Sequence, residues 1–546
     1  MPAEVTQLRL ETPELAASTI ALPLIEPQGI HLMLNLDADG ATLLRASPIV
    51  ASQAAKRPYT RRIEQVFWDT PEHRLGHSGI ALALQTNGQK RVQIVTPIRS
   101  TQAGGRTLSA SETHIQGTRP DLVRLALTPG TDPVLVSGLD PNSVIPIFAI
   151  EVRRTHWGLT WGDTRLALTL DIGAITTSQG DATISQAALT HLGGPTSGLY
   201  EFARTLNRSV PFSLASLLPA QQGYRLVVAD DWWPAAAKAN LTRSMSVREG
   251  ILAIGQVATA ALRVEIEALV GAQKPERIHQ ARVSIRRLRS VLSVFAPVLP
   301  TLTRRTLGQE LNSLASRLGD AREWDVFLSE TLAPMEEWLP EERSLTSLRL
   351  SGAVLREKAA ETALAAVSGE RAADRRVSAA FMDLSLRLAA WFDAGIWPEP
   401  PNADAQFWLD QPLISLAQDL LGKRHRKLLK SANGLKNPRP EELHALRIEA
   451  KKLRYTSEFF VRLYPGKATK RYVAALARIQ DILGTINDAA TSRGLVLRLC
   501  GSGQTTDMHA IGLFNGWTAA QAATARAQFE QSWSAFVEVK RYWKEK

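Results

Sequence analysis

The sequence predicts an α+β protein with more than one domain, in which an antiparallel β-barrel or sandwich precedes an all-helical region. Between Gly29 and about Leu226, short alternating or apolar runs are separated by turn signals such as Gly162-Asp163. From Val247 onward, helical periodicity dominates. The length of 546 residues would accommodate three or four domains by itself.

The N-terminal elements follow from period-two patterns and turn residues. Asp37-Ala38-Asp39-Gly40 and Asn87-Gly88 are predicted hairpin turns, and Pro195–Leu206 is a predicted helix. The predicted strands are Ile30–Leu36, Gly79–Gln85, Arg91–Val95, Ile147–Arg153, Thr155–Leu159 and Thr164–Leu170.

The C-terminal half is divided into helices by proline- and glycine-containing breaks, after a short connector at residues 230–242. The intervals have the length of bundle helices, and residues 518–542 form one more amphipathic helix. The breaks fall at residues 271–275, 297–300, 338–341, 397–402, 435–440 and 464–467.

The composition favours a polyanionic partner. The chain carries 64 Lys and Arg against 53 Asp and Glu, a net charge of +11, which suits nucleic acid, an anionic membrane or a phosphate polymer. Arginine dominates the basic motifs, and its guanidinium can donate two parallel hydrogen bonds to phosphate.

Other sequence signals exclude several classes of protein. Cys500 is the single cysteine, so no intrachain disulfide can form. There is no leader-like N-terminus and no run of 18 apolar residues, so we expect a cytoplasmic protein without a membrane span. No phosphate-binding P-loop and no Gly-x-Ser-x-Gly elbow occurs, which leaves ATPase and serine-hydrolase functions without support.

The most informative feature is a repeated basic segment. Residues 279–289 read HQARVSIRRLR and residues 444–454 read HALRIEAKKLR, with a basic residue at every matching basic position. Each copy is followed, 39 residues after its histidine, by a Leu-Gly pair, Leu318-Gly319 or Leu483-Gly484. A repeat that keeps its positive charge suggests two copies of one anion-binding unit.

Helical spacing places the basic residues of each copy on one face. His279, Arg282, Arg286 and Arg289 share a stripe, while Ile285, Leu288, Leu292 and Phe295 can pack into a core. The second stripe consists of His444, Arg447, Lys451 and Arg454. Stacked cations repel one another, a cost that suits a face built for a polyanion; a solvated face paired with acidic helices is the alternative.

These segments resemble the CHAD domain, over roughly residues 246–546. Four blocks carry the resemblance in order: residues 246–250, 318–326, 423–430 and 483–488. The resemblance implies two pseudo-symmetric four-helix bundles, here about 246–410 and 411–546, and inorganic polyphosphate as the ligand. It implies no catalytic residues.

The predicted polyphosphate-binding residues combine both stripes, their neighbouring cations and a basic cluster on the helix before the second stripe. We expect the stripes to face each other across a groove, clear of acidic partners, with the cluster lining the same groove. These residues are His279, Arg282, Arg286, Arg287, Arg289, Lys423, Arg424, Arg426, Lys427, Lys430, His444, Arg447, Lys451, Lys452 and Arg454.

The N-terminal region, residues 28–230, resembles the CYTH or triphosphate tunnel family. The matching segments are Phe67–Glu72 with Leu75 and residues 78–82, Ile147–Arg154 with His156-Trp157, and Leu170–Gly173. The resemblance implies a tunnel-like antiparallel barrel that binds triphosphate and metal. Residues 1–27 are then an N-terminal extension, and residues 231–245 are a linker.

The departures from that family predict an inactive barrel. Its first strand carries two glutamates, but residues 31–35 read HLMLN, and the later glutamate strand reads QAALTH at residues 186–191. Magnesium and manganese need carboxylate oxygens, and phosphoryl transfer without the metal loses its charge neutralisation. We therefore expect no metal, no cofactor and no enzyme activity.

A few residues keep alternatives open in the barrel. Arg62, Arg153 and Arg154 are candidates for residual anion contact, with plain surface charge as the preferred interpretation. Asp171 stands where the family has an aspartate. His31 and His191 replace acids on two strands, but a zinc site there is disfavoured because no cysteine accompanies them.

The sequence thus predicts a non-enzymatic polyphosphate-binding protein located at cytoplasmic polyphosphate granules, with granule-associated proteins as possible partners. Two alternatives differ in class: a metal-dependent triphosphatase or polyphosphatase in the barrel, and a nucleic-acid binder that uses the basic groove.

Overall fold

A computed structural model gives the fold. It describes residues 30–87, 90–98, 110–128, 131–215, 217–228, 239–272, 275–369, 376–397, 401–433, 438–501 and 507–544. The predicted extension, residue Gly88 of the predicted Asn87-Gly88 turn and residues 231–238 of the predicted linker lie outside these ranges.

Within the described ranges, the N-terminal region is built on one antiparallel sheet of nine strands in the order β5-β4-β3-β2-β6-β7-β8-β1-β9. The strands are β1 His31–Asn35, β2 Tyr59–Asp69, β3 Ile80–Asn87, β4 Lys90–Pro97, β5 Ser111–Ile115, β6 Ile145–Trp161, β7 Thr164–Thr177, β8 Gly180–Gly193 and β9 Ser213–Leu214. The described part of this region also contains the helices α1 Ala38–Arg45, α2 Pro48–Gln53, α3 Arg74–Ser78, α4 Leu122–Ala126, α5 Pro133–Ser137, α6 Ser197–Leu206 and α7 Pro219–Val227.

The prediction of an antiparallel β domain is confirmed, but the sheet is not closed into a barrel. In the described residues, β5 pairs with β4 alone and β9 pairs with β1 alone, so the two edges do not meet. The last strand, Ser213–Leu214, has only two residues and cannot bridge the gap.

Two local predictions are wrong for identifiable reasons. Asp37 opens α1 instead of a hairpin turn, because its extended backbone lets Oδ1 accept the Gly40 N–H at 2.7 Å as a helix N-cap. The predicted strands Ile147–Arg153 and Thr155–Leu159 are one strand, β6, because its antiparallel pairing continues through Arg154 while the buried side chains change there from one face of the sheet to the other.

Asp69, in the segment that resembles the CYTH family, is a structural carboxylate. Its Oδ1 accepts the N–H groups of Thr70 and Leu75 at 2.7 and 2.8 Å, and its Oδ2 accepts the Gly76 N–H at 2.8 Å. The hydroxyl of Tyr224 donates to Oδ2 at 3.0 Å. Asp69 thus fixes the start of α3 against the buried Tyr224.

The C-terminal region is helical, as predicted. Its helices are α8 Val247–Ala272, α9 Pro275–Val294, α10 Thr301–Arg317, α11 Gly319–Val326, α12 Ala333–Trp338, α13 Ser344–Ala365, α14 Ala379–Phe392, α15 Ala403–Leu409, α16 Leu413–Ala432, α17 Pro440–Phe460, α18 Lys467–Gly501 and α19 Met508–Glu538. A π-helical segment, Phe327–Leu332, joins α11 to α12. No helix in the described ranges is long and apolar enough to cross a bilayer.

Both predicted repeats contribute to each hydrophobic core of the helical region. The larger core runs from Leu241 to Trp543 and joins Phe295 to Phe460, whose rings lie 5.9 Å apart. The smaller core packs Trp324 and Phe327 of the first repeat against Phe514 of the second. The division into two four-helix bundles therefore stays a prediction.

The two regions meet through α14. Met382, Leu386 and Ala389 are buried in the same cluster as the apolar side of β1, β7 and β8 and the helix α6. Arg204 of α6 donates to Asp383 at 2.7 Å, so an ion pair borders this apolar contact.

Candidate anion-binding groove

The two repeated segments lie on helices that pack against each other, α9 and α17. Ile285 and Leu288 of α9 and Leu446 and Leu453 of α17 are completely buried. The apolar side of each helix therefore enters the core, as the helical spacing predicts, and the basic stripes are left at the surface between the helices.

The stripes converge on a central cavity of about 330 Å³. The repeats are 165 residues apart, and the cavity is lined by equivalent pairs: Arg282 with Arg447, Arg286 with Lys451, and Glu323 with Asp488. The other lining residues are His279, Arg322, Val326, Glu330, Asn487, Thr491, Ser492 and Leu495. Four cations of the two predicted stripes, Arg282, Arg286, Arg447 and Lys451, thus line one cavity.

A side cavity of about 370 Å³ continues from the central one, because Arg286 and Lys451 line both. It adds the cations Arg287 and Arg454 and the ring of Tyr455, which lies 5.8 Å from the Arg286 guanidinium. The remaining lining residues are Val283, Glu458, Gln480 and Asp481. We call the two cavities together the α9–α17 groove.

Three cations of the groove, Arg282, Arg447 and Lys451, are partly desolvated, and like charges crowd around them. Burial lowers the pKa of the Lys451 ammonium to about 8, and Arg447 and Arg286 add to the effect. Burial likewise lowers the pKa of the Arg282 and Arg447 guanidinium groups, while Glu323 and Asp488 oppose the shift. A bound polyanion would relieve this repulsion.

Acidic side chains enter the groove, contrary to the expectation that the stripes stand clear of them. Arg447 lies 3.6 Å from Asp488, and Arg454 lies 2.8 Å from Glu458. Among the described residues, however, no carboxylate forms an ion pair with Arg286, Arg287 or Lys451. The lining comprises seven Lys and Arg against five carboxylates, so the groove keeps a positive excess.

One comparison with known proteins covers the region that contains the groove. The family model described as the CHAD domain matches residues 253–497, which include both basic helices and the whole α9–α17 groove.

Residues 253–497 form a CHAD domain. CHAD domains are in general linked to polyphosphate binding, so the match fits a polyphosphate-related role.

Several solved structures are similar to the chain. The CHAD domain from the plant Ricinus communis is 28% identical with a TM-score of 0.46, covering 56% of this chain and 97% of that one. PptA from Streptomyces chartreusis is 15% identical with a TM-score of 0.41, covering 53% and 100%. A Hippeastrum protein, described as a proposed adenylyl cyclase with a dominant triphosphatase activity, is 16% identical with a TM-score of 0.24, covering 35% and 99%. No curated protein matches the chain.

The two histidines of the CHAD repeats differ in position. His279 lines the central cavity. His444 is exposed, and its Nδ1 lies 3.0 Å from Oδ1 of Asn487. His444 lines neither cavity, so the equivalence seen in the sequence is not kept in the groove.

The predicted basic cluster on α16 borders the CHAD groove instead of lining it. Arg424 Nη2 lies 3.4 Å from the carbonyl oxygen of Ser293, at the C-terminal end of α9. Lys423 pairs with Asp419 at 2.7 Å, and Lys427 with Glu449 at 3.5 Å. Neither cavity is lined by Lys423, Arg424, Arg426, Lys427 or Lys430.

Two more predicted binding residues also lie outside the cavities, Lys452 beside the second stripe and Arg289 in the first. Lys452 turns to Glu449, at 2.8 Å, and the exposed Arg289 lies beyond the cavity edge. Conversely, sequence reasoning missed the contribution of α11 and α18, above all Glu323 and Asp488. The 165-residue offset that relates the histidines also relates these two acids, and it could have found them.

The N-terminal sheet carries a polar row across five neighbouring strands. The row runs Asn35, Gln186, Asp171, Arg154, Arg61, each opposite the next in register. Arg154 donates to both carboxylate oxygens of Asp171, at 2.7 and 2.6 Å, and the Gln186 amide donates to Asn35 at 2.7 Å. The family-like aspartate is thus held in a bidentate ion pair.

The other N-terminal candidates do not gather into a site. Arg62 pairs with Glu151 at 2.8 Å with both side chains largely exposed, and Arg153 is exposed. His31 is opposite Thr190, so it and His191 point to opposite sides of the sheet and cannot share a zinc ion. The described residues contain no group of three His, Cys, Asp or Glu that could hold a metal.

Proposed function

We propose that the CHAD domain binds inorganic polyphosphate in the α9–α17 groove without chemical turnover, and that this binding brings the protein to cytoplasmic polyphosphate granules. One observation carries the proposal: the repeat-related pairs Arg282/Arg447 and Arg286/Lys451 converge on one cavity. Guanidinium and ammonium donors on opposite walls suit a linear ligand with phosphate oxygens on every side.

Partial burial of Arg282, Arg447 and Lys451 supports a binding role. Charged groups held out of water interact with an anion more strongly than exposed ones do. Arg286 and Lys451, which form no ion pair with the described carboxylates, occupy the junction of the two cavities. A phosphate chain that passes this junction meets them first, whichever cavity it continues into.

For the N-terminal domain we propose a structural role without catalysis. Its Asp171 is held in an ion pair with Arg154. The amide residues Asn35 and Gln186 stand at positions where the resembled family has carboxylates. Apolar side chains such as Ile63, Phe148 and Ile184 fill much of the same face of the sheet. Neither feature supports a metal-bound triphosphate.

The direct test is calorimetric titration of the full-length protein with polyphosphate at two salt concentrations. We expect wild-type affinity to fall steeply with salt, by analogy with counterion release from nucleic acids. The variant Arg282→Ala/Arg286→Ala/Arg447→Ala/Lys451→Ala should lose binding, since each charge-assisted contact contributes about 1.5–3 kcal/mol. Its helical circular dichroism should remain.

A charge-matched control removes four exposed cations of the N-terminal region: Arg45, Lys56, Arg57 and Arg208. This control should bind like the wild type. Equal losses in both variants would mean that net charge, and not the groove, attracts the polymer. In cells, the wild type should co-localise with polyphosphate granules and the groove variant should not.

Two further measurements address the alternatives. Competition with DNA or RNA should leave polyphosphate bound; displacement by nucleic acid would favour the nucleic-acid hypothesis. Incubation with tripolyphosphate and magnesium or manganese should release no phosphate; release that depends on Asp171 would establish an active N-terminal domain.

A further inference from the structure

The two basic stripes differ in their last turn. One helical turn past its last arginine, four residues further on, the α9 stripe reaches Ser293. The same step past Arg454 takes the α17 stripe to Glu458. One stripe therefore ends in a neutral serine and the other in a carboxylate.

The carboxylate closes the α17 end to an anion. Glu458 accepts from the Nε of Arg454 at 2.8 Å, and Gln480 accepts from the same guanidinium at 2.9 Å. Asp481 lines the side cavity beside them. A phosphate chain leaving the groove here would have to displace Glu458 and pass a second acid, so Coulomb repulsion opposes it.

The α9 end of the groove, in contrast, is open to an anion. Arg289 is exposed, and Ser293 cannot pair with it as Glu458 pairs with Arg454. Arg424 of α16 reaches this point, with its Nη2 3.4 Å from the Ser293 carbonyl oxygen and 3.5 Å from Oγ. In the described part of the chain, neither Arg289 nor Arg424 forms an ion pair with a carboxylate.

From this asymmetry we infer a one-sided extension of the binding site, in which a long polyphosphate chain leaves the central cavity over Arg289 and Arg424 and not past Glu458. The inference rests on the proposed function. The basic cluster on α16 lines neither cavity. In this inference its Arg424 binds the part of the phosphate chain that lies outside the groove. Short chains end inside the groove, and only longer chains reach the extension.

The experiment compares long-chain polyphosphate with the shortest chain fraction that the wild type binds. In the variant Arg289→Ala/Arg424→Ala, affinity for the short fraction stays within about twofold of the wild type. Affinity for the long chain drops, and the slope of log affinity against log salt becomes shallower by about two, one per lost phosphate contact. The variant Lys56→Ala/Arg57→Ala, which removes the same charge from the N-terminal region, leaves both affinities unchanged.

The reciprocal variant Glu458→Ser removes a carboxylate from the α17 end of the groove and raises long-chain affinity by a larger factor than short-chain affinity. Equal effects on both chain lengths, or none on either, would overturn the one-sided extension while leaving polyphosphate binding in place. A wild type that binds neither chain would refute the proposed function itself, so the two failures are distinguishable.

Discussion

At the scale of single residues, Lys451 is the groove cation whose charge depends most on conditions. Burial and the neighbouring Arg447, Arg286 and Arg282 lower its pKa to about 8, and Asp488 alone among its named neighbours raises it. An arginine at the same place would keep its charge at any physiological pH. Lys451 therefore gives the groove a titration within an accessible range.

Polyphosphate affinity is predicted to fall as the pH rises above about 8. The bound anion favours the protonated ammonium, so Lys451 has a higher pKa in the complex than in the free groove, and binding takes up protons. Affinity is complete below the free pKa and decreases up to the bound one, about tenfold for each unit between them. Titration calorimetry in buffers of different ionisation enthalpy measures both quantities.

The matched variant is Lys451→Arg. Because its guanidinium stays protonated, the loss of affinity above pH 8 and the proton uptake should both disappear. Persistence of the same pH dependence in this variant would assign the titration to another group.

At the scale of elements, the two Leu-Gly pairs mark equivalent helix positions with different surroundings. A Cβ added at Gly319, at the start of α11, would lie 3.0 Å from Nη1 of Arg282. A Cβ at Gly484, within α18, would meet nothing within 4 Å. The absence of a side chain at Gly319 thus leaves room for Arg282, whereas a side chain at Gly484 would contact no neighbouring residue.

The substitution Gly319→Ala should weaken polyphosphate binding severalfold, because the Arg282 guanidinium must shift away from its place in the central cavity. Gly484→Ala is the matched control and should leave binding unchanged. Replacing either glycine by alanine stabilises its helix by roughly 0.5–1 kcal/mol. The two variants should therefore have similar thermal unfolding temperatures although their polyphosphate affinities differ. Identical affinities would contradict the proposed position of Arg282 in the site.

Sequence reasoning found the elements that charge and periodicity specify. The helices α9 and α17 and their facing cations followed from spacing, because a helix fixes which residues share a face. The acids Glu323 and Asp488 and the ion pair of Lys452 with Glu449 did not, since they depend on which helices pack together. Asp37 was misread because an N-cap and a turn use the same residue type.

At the scale of the whole molecule, the N-terminal sheet and the CHAD domain share a buried apolar contact. Leu386 of α14 is completely buried, in the cluster that also contains Leu168 and Phe202 of the N-terminal region. The ion pair of Arg204 with Asp383 lies at its border. The sheet thereby supports α14, which in turn packs on α8.

The substitution Leu386→Ala should destabilise the protein by about 2–5 kcal/mol, the usual cost of removing a buried leucine. Leu350→Ala, at a position that is 64% exposed on α13, serves as the control and should change stability little. Chemical denaturation followed by tryptophan fluorescence measures both. A negligible effect of Leu386→Ala would mean that the two regions are not energetically joined through α14.

The hydrophobic cores that draw on both repeats have a consequence for synthesis on the ribosome. Phe295 meets Phe460, and Phe327 meets Phe514, so the first repeat cannot cover these rings by itself. While the chain is growing, that apolar surface stays exposed until the later helices emerge, which invites aggregation. Newly made protein should therefore depend on chaperones, with protection against proteolysis arriving late and in one step.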